Sequence, residues 1–463
     1  MSKRPCWKFS ICVYIVTLFS LFSGYPLKHA LADEGSLSLS GLLQFRYDMR
    51  YLSDNEGEDH KLHQIADITI RRNEWEHFKF TLAGDMIEDI DSEDDDQADR
   101  TRTIHDTWDS SIHGYLYVCQ AEIYELANLN LNYARFGRQY VSHELTPTHL
   151  DGLNILFDLN LFGKKITPFV YAGLPVCLYE EGNYWDGTEI GGGVHIHLDG
   201  STKITLEYQF IEEDIDMVGS YAESGKNRYE QSALAIRRSF FHKGYGYISL
   251  FLLDNSPTQV TTRFSVLFDR LDLDIDASYL YQFEEISKTP TTSVYTGLTG
   301  PIKPHHNISL DITKGVYKDS VWVSGGTEWR LLDFGEEESE FNHSYNREYL
   351  ALIIEDLFVK GLSVFLQADF WQVMDSDNKD RISSSGWEIA YNKPQTINIA
   401  IGSFYSLYSY DYFKNTDEKT DVDTFYSDLR YYIQPGLYLD ARYQLDRYDI
   451  DDHRFIATIG LEM

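Results

Sequence analysis

Beyond its first 32 residues, the chain has no apolar run close to the roughly 20 residues of a membrane-spanning helix. It has four cysteines, and only Cys119 and Cys177 lie after that point. They are far apart in the sequence, and we interpret them as unpaired small apolar residues. No C-x-x-C-H motif for haem attachment occurs. We therefore predict no cofactor.

The motifs of common enzymes are also missing. The sequence contains no G-x-S-x-G, no H-E-x-x-H and no P-loop. His195 and His197 are two positions apart, on one face of a predicted strand, where they could hold a metal ion. A hydrated histidine pair on a polar face is the more common situation. We predict that the protein is not an enzyme and has no metal site.

Basic residues are scarce. The chain has 40 Lys and Arg against 73 Asp and Glu, a formal net charge of −33. Phosphate backbones need a positive surface, so this balance excludes nucleic acid as a partner. It suits a surface that faces solvent and divalent cations.

The first 32 residues have the features of an export signal. Lys3, Arg4 and Lys8 precede an apolar run from Phe9 to Phe22, and Ala30-Leu31-Ala32 is an A-x-A cleavage site. A membrane-anchoring helix is the alternative, but the run is short and Gly24 and Pro26 follow it. We predict a cleaved Sec signal peptide at 1–32 and one domain at 33–463.

The pattern that organises the mature chain begins at Ser36–Tyr51, SLSLSGLLQFRYDMRY. Its odd positions are mostly apolar, and its even positions are mostly polar. Successive side chains of a strand point to opposite faces, so this segment has one apolar and one polar face. Its length suits a tilted strand that crosses a membrane better than a strand of a soluble sheet.

The same alternation recurs to Met463, interrupted by alternating short turns and long acidic segments. Tyrosine, which membrane interfaces favour, is abundant at 34 residues. We predict an all-β fold, a single antiparallel transmembrane β-barrel of 18–22 strands, with short periplasmic turns and long external loops. The leader and the barrel together predict the outer membrane of a Gram-negative bacterium.

One predicted strand, Leu271–Phe283, places three carboxylates on its polar face. They are Asp272, Asp274 and Asp276, spaced roughly 7 Å apart at a rise of about 3.4 Å per residue. They could form a stripe that attracts cations in a lumen. Alternatively, Arg or Lys on neighbouring strands could neutralise them.

A second group of candidate pore-lining residues belongs to the first strand and the last two strands, which a closed barrel brings together. Its members are Arg46, Arg50, Asp440, Arg442 and Arg454. They could form one wall of a constriction, or a solvated ladder of salt bridges that adds little stability.

The segment Glu88–Asp106 has the acidic composition of a calcium-binding loop but lacks the glycine of an EF-hand loop. It could bind divalent cations weakly and bridge lipopolysaccharide phosphates, although a solvated acidic loop is the simpler interpretation. The partners that we predict are outer-membrane lipid and lipopolysaccharide. A periplasmic or lumen-bound protein partner stays open.

Two stretches resemble outer-membrane porins, most closely the alginate-export-like and related porin barrels. The first is Ala134–Gln139, ARFGRQ, followed by Leu150–Leu153, LDGL. The second is Phe370–Val373, FWQV, followed by Asp375, Asp377 and Ser385-Gly386. The resemblance implies that Arg135, Arg138 and Gln139 line or brace the pore, and that the segment Tyr140–His149 folds inward as a constriction.

Three functions are consistent with this reading. The first is an outer-membrane porin-like channel for small polar solutes or ions. The second is a barrel that houses a partner such as a multihaem cytochrome, or that exports a polysaccharide. The third is an outer-membrane hydrolase, for which no catalytic set is found. We predict the first.

Overall fold

The structure is a computed structural model of the whole chain. It describes residues 37–53, 58–72, 76–90, 112–145, 147–176, 187–215, 225–240, 243–286, 302–317, 320–333, 342–356, 358–374, 381–408, 420–448 and 450–463. The predicted signal peptide lies outside these ranges, as does the part of the acidic segment from 91 to 106. Both predictions therefore stay predictions.

The described residues form 23 β-strand segments, joined by turns and one short 3-10 helix at Ala127–Leu129. In chain order the segments are β1 (Leu37–Leu52), β2 (Glu58–Arg72), β3 (Phe78–Asp89), β4 (Ile112–Leu126), β5 (Leu131–Val141), β6 (Thr148–Phe157), β7 (Leu159–Leu161), β8 (Lys164–Pro175), β9 (Gly187–His197), β10 (Thr202–Ile215), β11 (Gly225–Phe240), β12 (Gly244–Leu253), β13 (Ser256–Phe268), β14 (Leu273–Gln282), β15 (His305–Tyr317), β16 (Val321–Leu332), β17 (Tyr345–Glu355), β18 (Leu362–Val373), β19 (Arg381–Lys393), β20 (Ile397–Tyr408), β21 (Thr420–Gln434), β22 (Leu437–Arg447) and β23 (Asp451–Glu462).

The sheet closes on itself. Each strand pairs antiparallel with the next along the chain, and β1 pairs with β23. The segments β6 and β7 both pair with β8 and together count as one strand, so the fold is a closed barrel of 22 strands. This confirms the predicted all-β barrel and its upper strand number. No helix within the described ranges is long and apolar enough to cross a membrane.

The alternation of side chains gives the barrel an inner and an outer face. In β1, Gln44, Arg46 and Asp48 share a face with Thr458 of β23, and Phe45 shares the other with Ile459. Around the whole barrel, the face that includes Phe45 carries many exposed apolar side chains. The face that includes Arg46 carries fewer of them. A surface of this kind is stable against lipid, and we take it as the outer face.

The two ends of the barrel differ. One end carries the N-terminus of β1 and the C-terminus of β23, which are tied by backbone hydrogen bonds between Gly41 and Met463 of 2.9 and 3.2 Å. At this end, which we call the terminal end, each of the ten joints (the turns that connect successive strands) has at most six residues. At the opposite loop end, the segments between β3 and β4 and between β14 and β15 each have 22 residues.

The porin resemblance treats Tyr140–His149 as one inward-folding segment. The structure assigns Tyr140 and Val141 to β5, and Thr148 and His149 to β6, so only residues 142–147 lie between the strands. The reason is that Tyr140 pairs with His149 and Val141 with Thr148, which extends the ladder by two rungs.

Glycines make room for aromatic side chains on one part of the inner wall. A Cβ atom on Gly191 would lie 2.2 Å from the ring of Tyr171, and one on Gly193 would lie 2.7 Å from the ring of Phe169. Both glycines are on β9, directly opposite those aromatic residues on β8. The glycines let the two rings lie flat against the neighbouring strand, where they are 2% and 4% exposed.

Candidate pore lining

The predicted group Arg46, Arg50, Asp440, Arg442 and Arg454, which we call the seam cluster, is brought together where the first and last strands pair. Arg50 of β1 is directly opposite Arg454 of β23. Asp452, which is 1% exposed, lies between them and accepts hydrogen bonds from Arg50 at 2.8 Å and from Arg454 at 3.0 Å. Two like charges can be adjacent here because one buried carboxylate is shared between them.

The remaining seam residues also have partners. Arg46 donates to Asp48 at 2.8 Å, Arg442 to Asp428 at 2.6 Å, and Asp440 accepts from Arg430 at 2.9 Å. All five predicted residues therefore lie on the inner face, in ion pairs. This geometry is that of the salt-bridge ladder, and the role of the ladder in selecting solutes stays a prediction.

Arg135 and Gln139 both point inward, but neither is an open pore residue. Arg135 donates to Glu122 at 2.6 Å and lies 4.2 Å from the ring centre of Tyr133. Gln139 is 0% exposed and donates to the backbone oxygen of Gly152 at 3.2 Å. They brace the wall between β4 and β6.

The structure corrects the prediction for Arg138. Arg138 follows Gly137, which lies on the inner face, and therefore points to the outer face. The exposed Phe136 is on the same side. It donates to Asp151, also on the outer face, at 2.6 and 2.8 Å, and to the backbone oxygen of Leu116 at 3.1 Å. The motif search failed because it treated neighbouring residues alike, whereas a strand sends them to opposite faces.

Two of the three stripe carboxylates lie on the inner face of β14. Asp276 is exposed and lies opposite Asp311 of β15, while Asp274 lies opposite Thr313. Within the described part of the chain, Asp274 and Asp276 have no ion-pair partner, so the predicted neutralisation by Arg or Lys is not found there. Asp311 accepts a hydrogen bond from Tyr349.

Asp272 is the exception in this stripe because it precedes β14, so the predicted start of the strand is corrected, while its place in the pore lining stays a prediction. It belongs to the turn before β14, with a positive φ of 48°, and its side chain lies over Gly315 at the terminal end. The strand starts two residues later than the alternation predicted, because Leu271 and Asp272 close a turn on Phe268 and Asp269 through backbone hydrogen bonds of 3.0 and 3.2 Å.

Residues 142–145, directly after β5, fold against the inner wall. We call them the strap. The His143 ring stacks on Phe169 with ring centres 3.8 Å apart, and Leu145 is 6% exposed. The inward fold that the porin resemblance implied for this part of the chain is therefore present.

A pair of glutamates holds the strap. Glu207 of β10 accepts hydrogen bonds from the backbone N–H groups of Glu144 at 2.7 Å and Leu145 at 3.0 Å, and from the Tyr171 hydroxyl at 3.0 Å. The Glu144 side chain continues across the wall to Arg237 of β11, at 2.8 Å.

Other donors complete the Glu144 site. The Tyr247 hydroxyl of β12 donates to Glu144 at 3.3 Å, and the Lys203 ammonium lies 4.0 Å away. The Glu144 side chain is 2% exposed. A buried carboxylate is costly without partners. Here the partners of Glu144 bind the strap to three strands, β10, β11 and β12.

Burial in this packing affects His143. His143 belongs to the strap, outside the strands, and burial lowers its pKa to about 4, helped by the positive charges of Lys203 and Arg135. The ring is therefore neutral at neutral pH. A neutral ring suits its stacking on Phe169 and its place beside His195, 5.6 Å between ring centres.

Inner residues of the strands around the strap are almost fully buried. Gln209, Gln231 and Asn154 are 0%, 2% and 1% exposed, and each has a side-chain oxygen without a hydrogen-bond partner. They lie on one row of the sheet that runs through Tyr171 and Gly191. We call the inner faces of β5, β6 and β8 to β11 the covered wall, and the inner faces of β13 to β16, with Asp274 and Asp276, the uncovered wall.

Glu144, Lys203, Glu207, Arg237 and Tyr247 were not singled out from the sequence. The inward position of Lys203, Glu207 and Arg237 follows from alternation, once the strands are known. Their convergence does not follow, because the segments are 60 to 100 residues apart and their register depends on the closed barrel. The one available signal of this site was Glu144, the single acidic residue in a segment expected to fold inward.

The histidine pair of β9 does not form a metal centre with its neighbours. His195 and His197 both point inward, and His195 Nδ1 lies 2.8 Å from the Thr205 hydroxyl. In the described part of the chain, no group of three or more His, Cys, Asp or Glu side chains is placed to hold a metal ion.

Neither a protein-family model nor a curated protein sequence matches the chain. The assignment to alginate-export-like barrels therefore stays a prediction. Among solved structures, the chain is similar to the translocation pore of the P pilus usher PapC, with 6% identity and a TM-score of 0.48 over 91% of this chain and 100% of that one.

Two further similar structures are porins. One is OpdK from Pseudomonas aeruginosa with vanillate, with 10% identity and a TM-score of 0.43 over 92% of this chain and 99% of that one. The other is a BenF-like porin from Pseudomonas fluorescens, with 11% identity and a TM-score of 0.41 over the same shares. The barrel itself is established by the pairing of the strands.

Proposed function

We propose that the protein is an outer-membrane channel that passes small polar solutes or ions. The observation that carries the proposal is a closed barrel whose inner face is polar and charged and whose outer face is apolar. Such a barrel isolates a polar passage from lipid, because every backbone group is paired within the sheet. The short terminal-end joints fit a periplasmic side and the long segments an external side.

The strap favours the function of a narrow passage rather than that of a barrel that houses a large partner. It already occupies the covered wall, and Glu144 is held there by Arg237, Tyr247 and Lys203. A cytochrome inside the barrel would need that space. The carboxylates of the half-buried Asp274 and the exposed Asp276 in the uncovered wall favour cations over anions in the remaining passage.

The test is the single-channel conductance of the purified mature chain in a planar bilayer, with a salt gradient across it. We expect steady open conductance and a reversal potential of the sign that cation preference requires. A folded barrel that shows no conductance contradicts the channel. Conductance with anion preference contradicts the role of the uncovered wall and leaves the channel itself standing.

A further inference from the structure

Tyrosine–histidine pairs recur on the outer face near the loop end of the barrel. In each pair a tyrosine hydroxyl lies within hydrogen-bond distance of a histidine Nδ1 atom. The pairs are Tyr47–His60 at 2.6 Å, Tyr279–His306 at 3.0 Å and Tyr443–His453 at 2.8 Å. They belong to three strand pairs, β1 with β2, β14 with β15, and β22 with β23.

The three pairs share one geometry. In each, the residue directly opposite the tyrosine is two positions from the histidine, and the histidine is the one nearer the loop end. A hydroxyl that donates to Nδ1 of a neutral imidazole leaves the proton on Nε2. In that tautomer each pair presents an N–H donor, positioned by its tyrosine, at the edge of the apolar surface.

The Nε2 atoms differ in what they meet. His60 Nε2 lies 3.1 Å from the carboxylate of Glu58. The Nε2 atoms of His306 and His453 make no hydrogen bond to a described residue, and neither is one of the buried polar atoms that lack a partner. Two of the three donors therefore face the surroundings of the barrel.

Aromatic rings support these two histidines. The Tyr281 ring stacks on His306 with centres 4.2 Å apart and planes 5° apart. The Tyr51 ring lies 5.9 Å from His453. Aromatic residues that are apolar on one side and polar on the other are enriched where lipid tails meet head groups. This places His306 and His453 at head-group depth.

The charged side chains near these two histidines are one base and three acids, so the Nε2 donors, and not the net charge, are what would hold an anionic head group there. Arg447, 55% exposed, is on the same outer face as His453 and pairs at 4.0 Å with Asp451. Asp423 lies opposite Arg447 on β21. Beside His306, the charged neighbour is Asp333, whose carboxylate is already taken by the Tyr281 hydroxyl at 3.1 Å.

We propose that the Nε2–H groups of His306 and His453 donate to phosphate oxygens of a lipid head group in the outer leaflet. The inference rests on the proposed outer-membrane location but not on conduction. Phosphate is the occupant that fits, since the donors lie just beyond the apolar surface, where phosphate oxygens are the strong acceptors of a bacterial outer leaflet. His60 is excluded from this role because Glu58 already faces its Nε2 atom.

The test is native mass spectrometry of the mature chain released from micelles that contain either bis-phosphorylated lipid A or its dephosphorylated form. The native chain should retain the phosphorylated lipid at least about fivefold better, the effect of one or two hydrogen bonds. The double variant H306F/H453F keeps two aromatic rings but loses both donors, and should lose this preference. H60F is the matched control and should keep it.

A double variant that still prefers the phosphorylated lipid would overturn the proposal, as would a native chain that retains both lipids equally. The heat-dependent shift of barrel proteins on gels shows whether each variant is folded. Bilayer conductance of the same samples is read separately. A missing conductance with the lipid preference intact would contradict the channel alone.

Discussion

The covered wall and the uncovered wall are built from the same alternating pattern, yet their polar residues have different surroundings. In the covered wall, Glu207 is 5% exposed and accepts three hydrogen bonds, two of them from strap backbone. In the uncovered wall, Asp276 is exposed and is not engaged by another described side chain. A polar residue on the inner face of a wide barrel can therefore either pack within the wall or line the passage.

The difference has energetic consequences. A buried carboxylate with several donors is costly to disturb, because any partner left behind is also buried. An exposed carboxylate interacts with ions in the solvent and contributes little to stability. Changes in the covered wall should therefore alter the shape of the passage, and changes in the uncovered wall should alter its selectivity.

The largest expected effect on conductance comes from removing the strap. Replacing residues 143–145 with Gly-Ser-Gly deletes the His143 stacking and the Glu144 contacts with Arg237. We expect single-channel conductance to rise at least about 1.5-fold, because a side chain that narrows a passage limits its ion flow. Planar-bilayer recording of the purified chain measures it.

Ser142 provides the control for this prediction. It is an exposed strap residue for which no side-chain contact is described. S142A should leave conductance unchanged. Unchanged conductance in the Gly-Ser-Gly variant as well would mean that the strap does not narrow the passage.

The second prediction concerns selectivity. D274N/D276N removes two charges from the uncovered wall, and should lower the cation-over-anion permeability ratio roughly twofold, because wall charges set the local ion concentration. The reversal potential in a salt gradient measures it. In D428N/R442Q, one acid and one base of a seam ion pair are lost together, so the ratio should hold. A D274N/D276N channel with native selectivity would exclude the uncovered wall as the filter.

The third prediction is a pH dependence of the strap. Burial lowers the pKa of His143 to about 4, whereas an unburied histidine titrates near 6.5. The released strap then binds more protons than the packed strap, so packing weakens as the pH falls from about 6.5 to about 4. We expect conductance to rise over this range.

H143F isolates this contribution, since phenylalanine keeps the ring on Phe169 but carries no titratable group. The variant should show a smaller rise between pH 6.5 and 4 than the native chain. Equal rises in the two would assign the pH dependence to other groups.

The sequence was sufficient for the barrel, and the reason is physical. Alternation with period two repeats along each strand and is independent of distant partners, so Ser36–Tyr51 already revealed its two faces. The seam cluster followed as well, because closure must join the first strand to the last. Arg46, Arg50 and Arg454 were therefore placed together correctly.

What alternation alone could not supply was register at turns and contacts across the barrel. Asp272 was placed in a strand because its spacing matches Asp274, but backbone hydrogen bonds close a turn there. Arg138 was taken with Arg135 from a motif, although an odd spacing puts them on opposite faces. The Glu144–Arg237 contact depends on which strands the strap reaches, which local sequence does not encode.

At the seam we expect effects on stability and the smallest effects on conductance, and the comparison between buried and exposed groups can be repeated there within one ladder. Asp452 is 1% exposed between Arg50 and Arg454, and D452N leaves both arginines without their shared charge. We expect a loss of about 3 kcal/mol in unfolding free energy. The Arg442 side chain is 53% exposed, and R442Q should cost less than about 1 kcal/mol. Urea unfolding of the refolded barrels in detergent, followed by tryptophan fluorescence, measures both. Equal losses would mean that burial does not distinguish the two pairs, and the contrast between a wall that packs and a wall that faces the passage would lose its energetic basis.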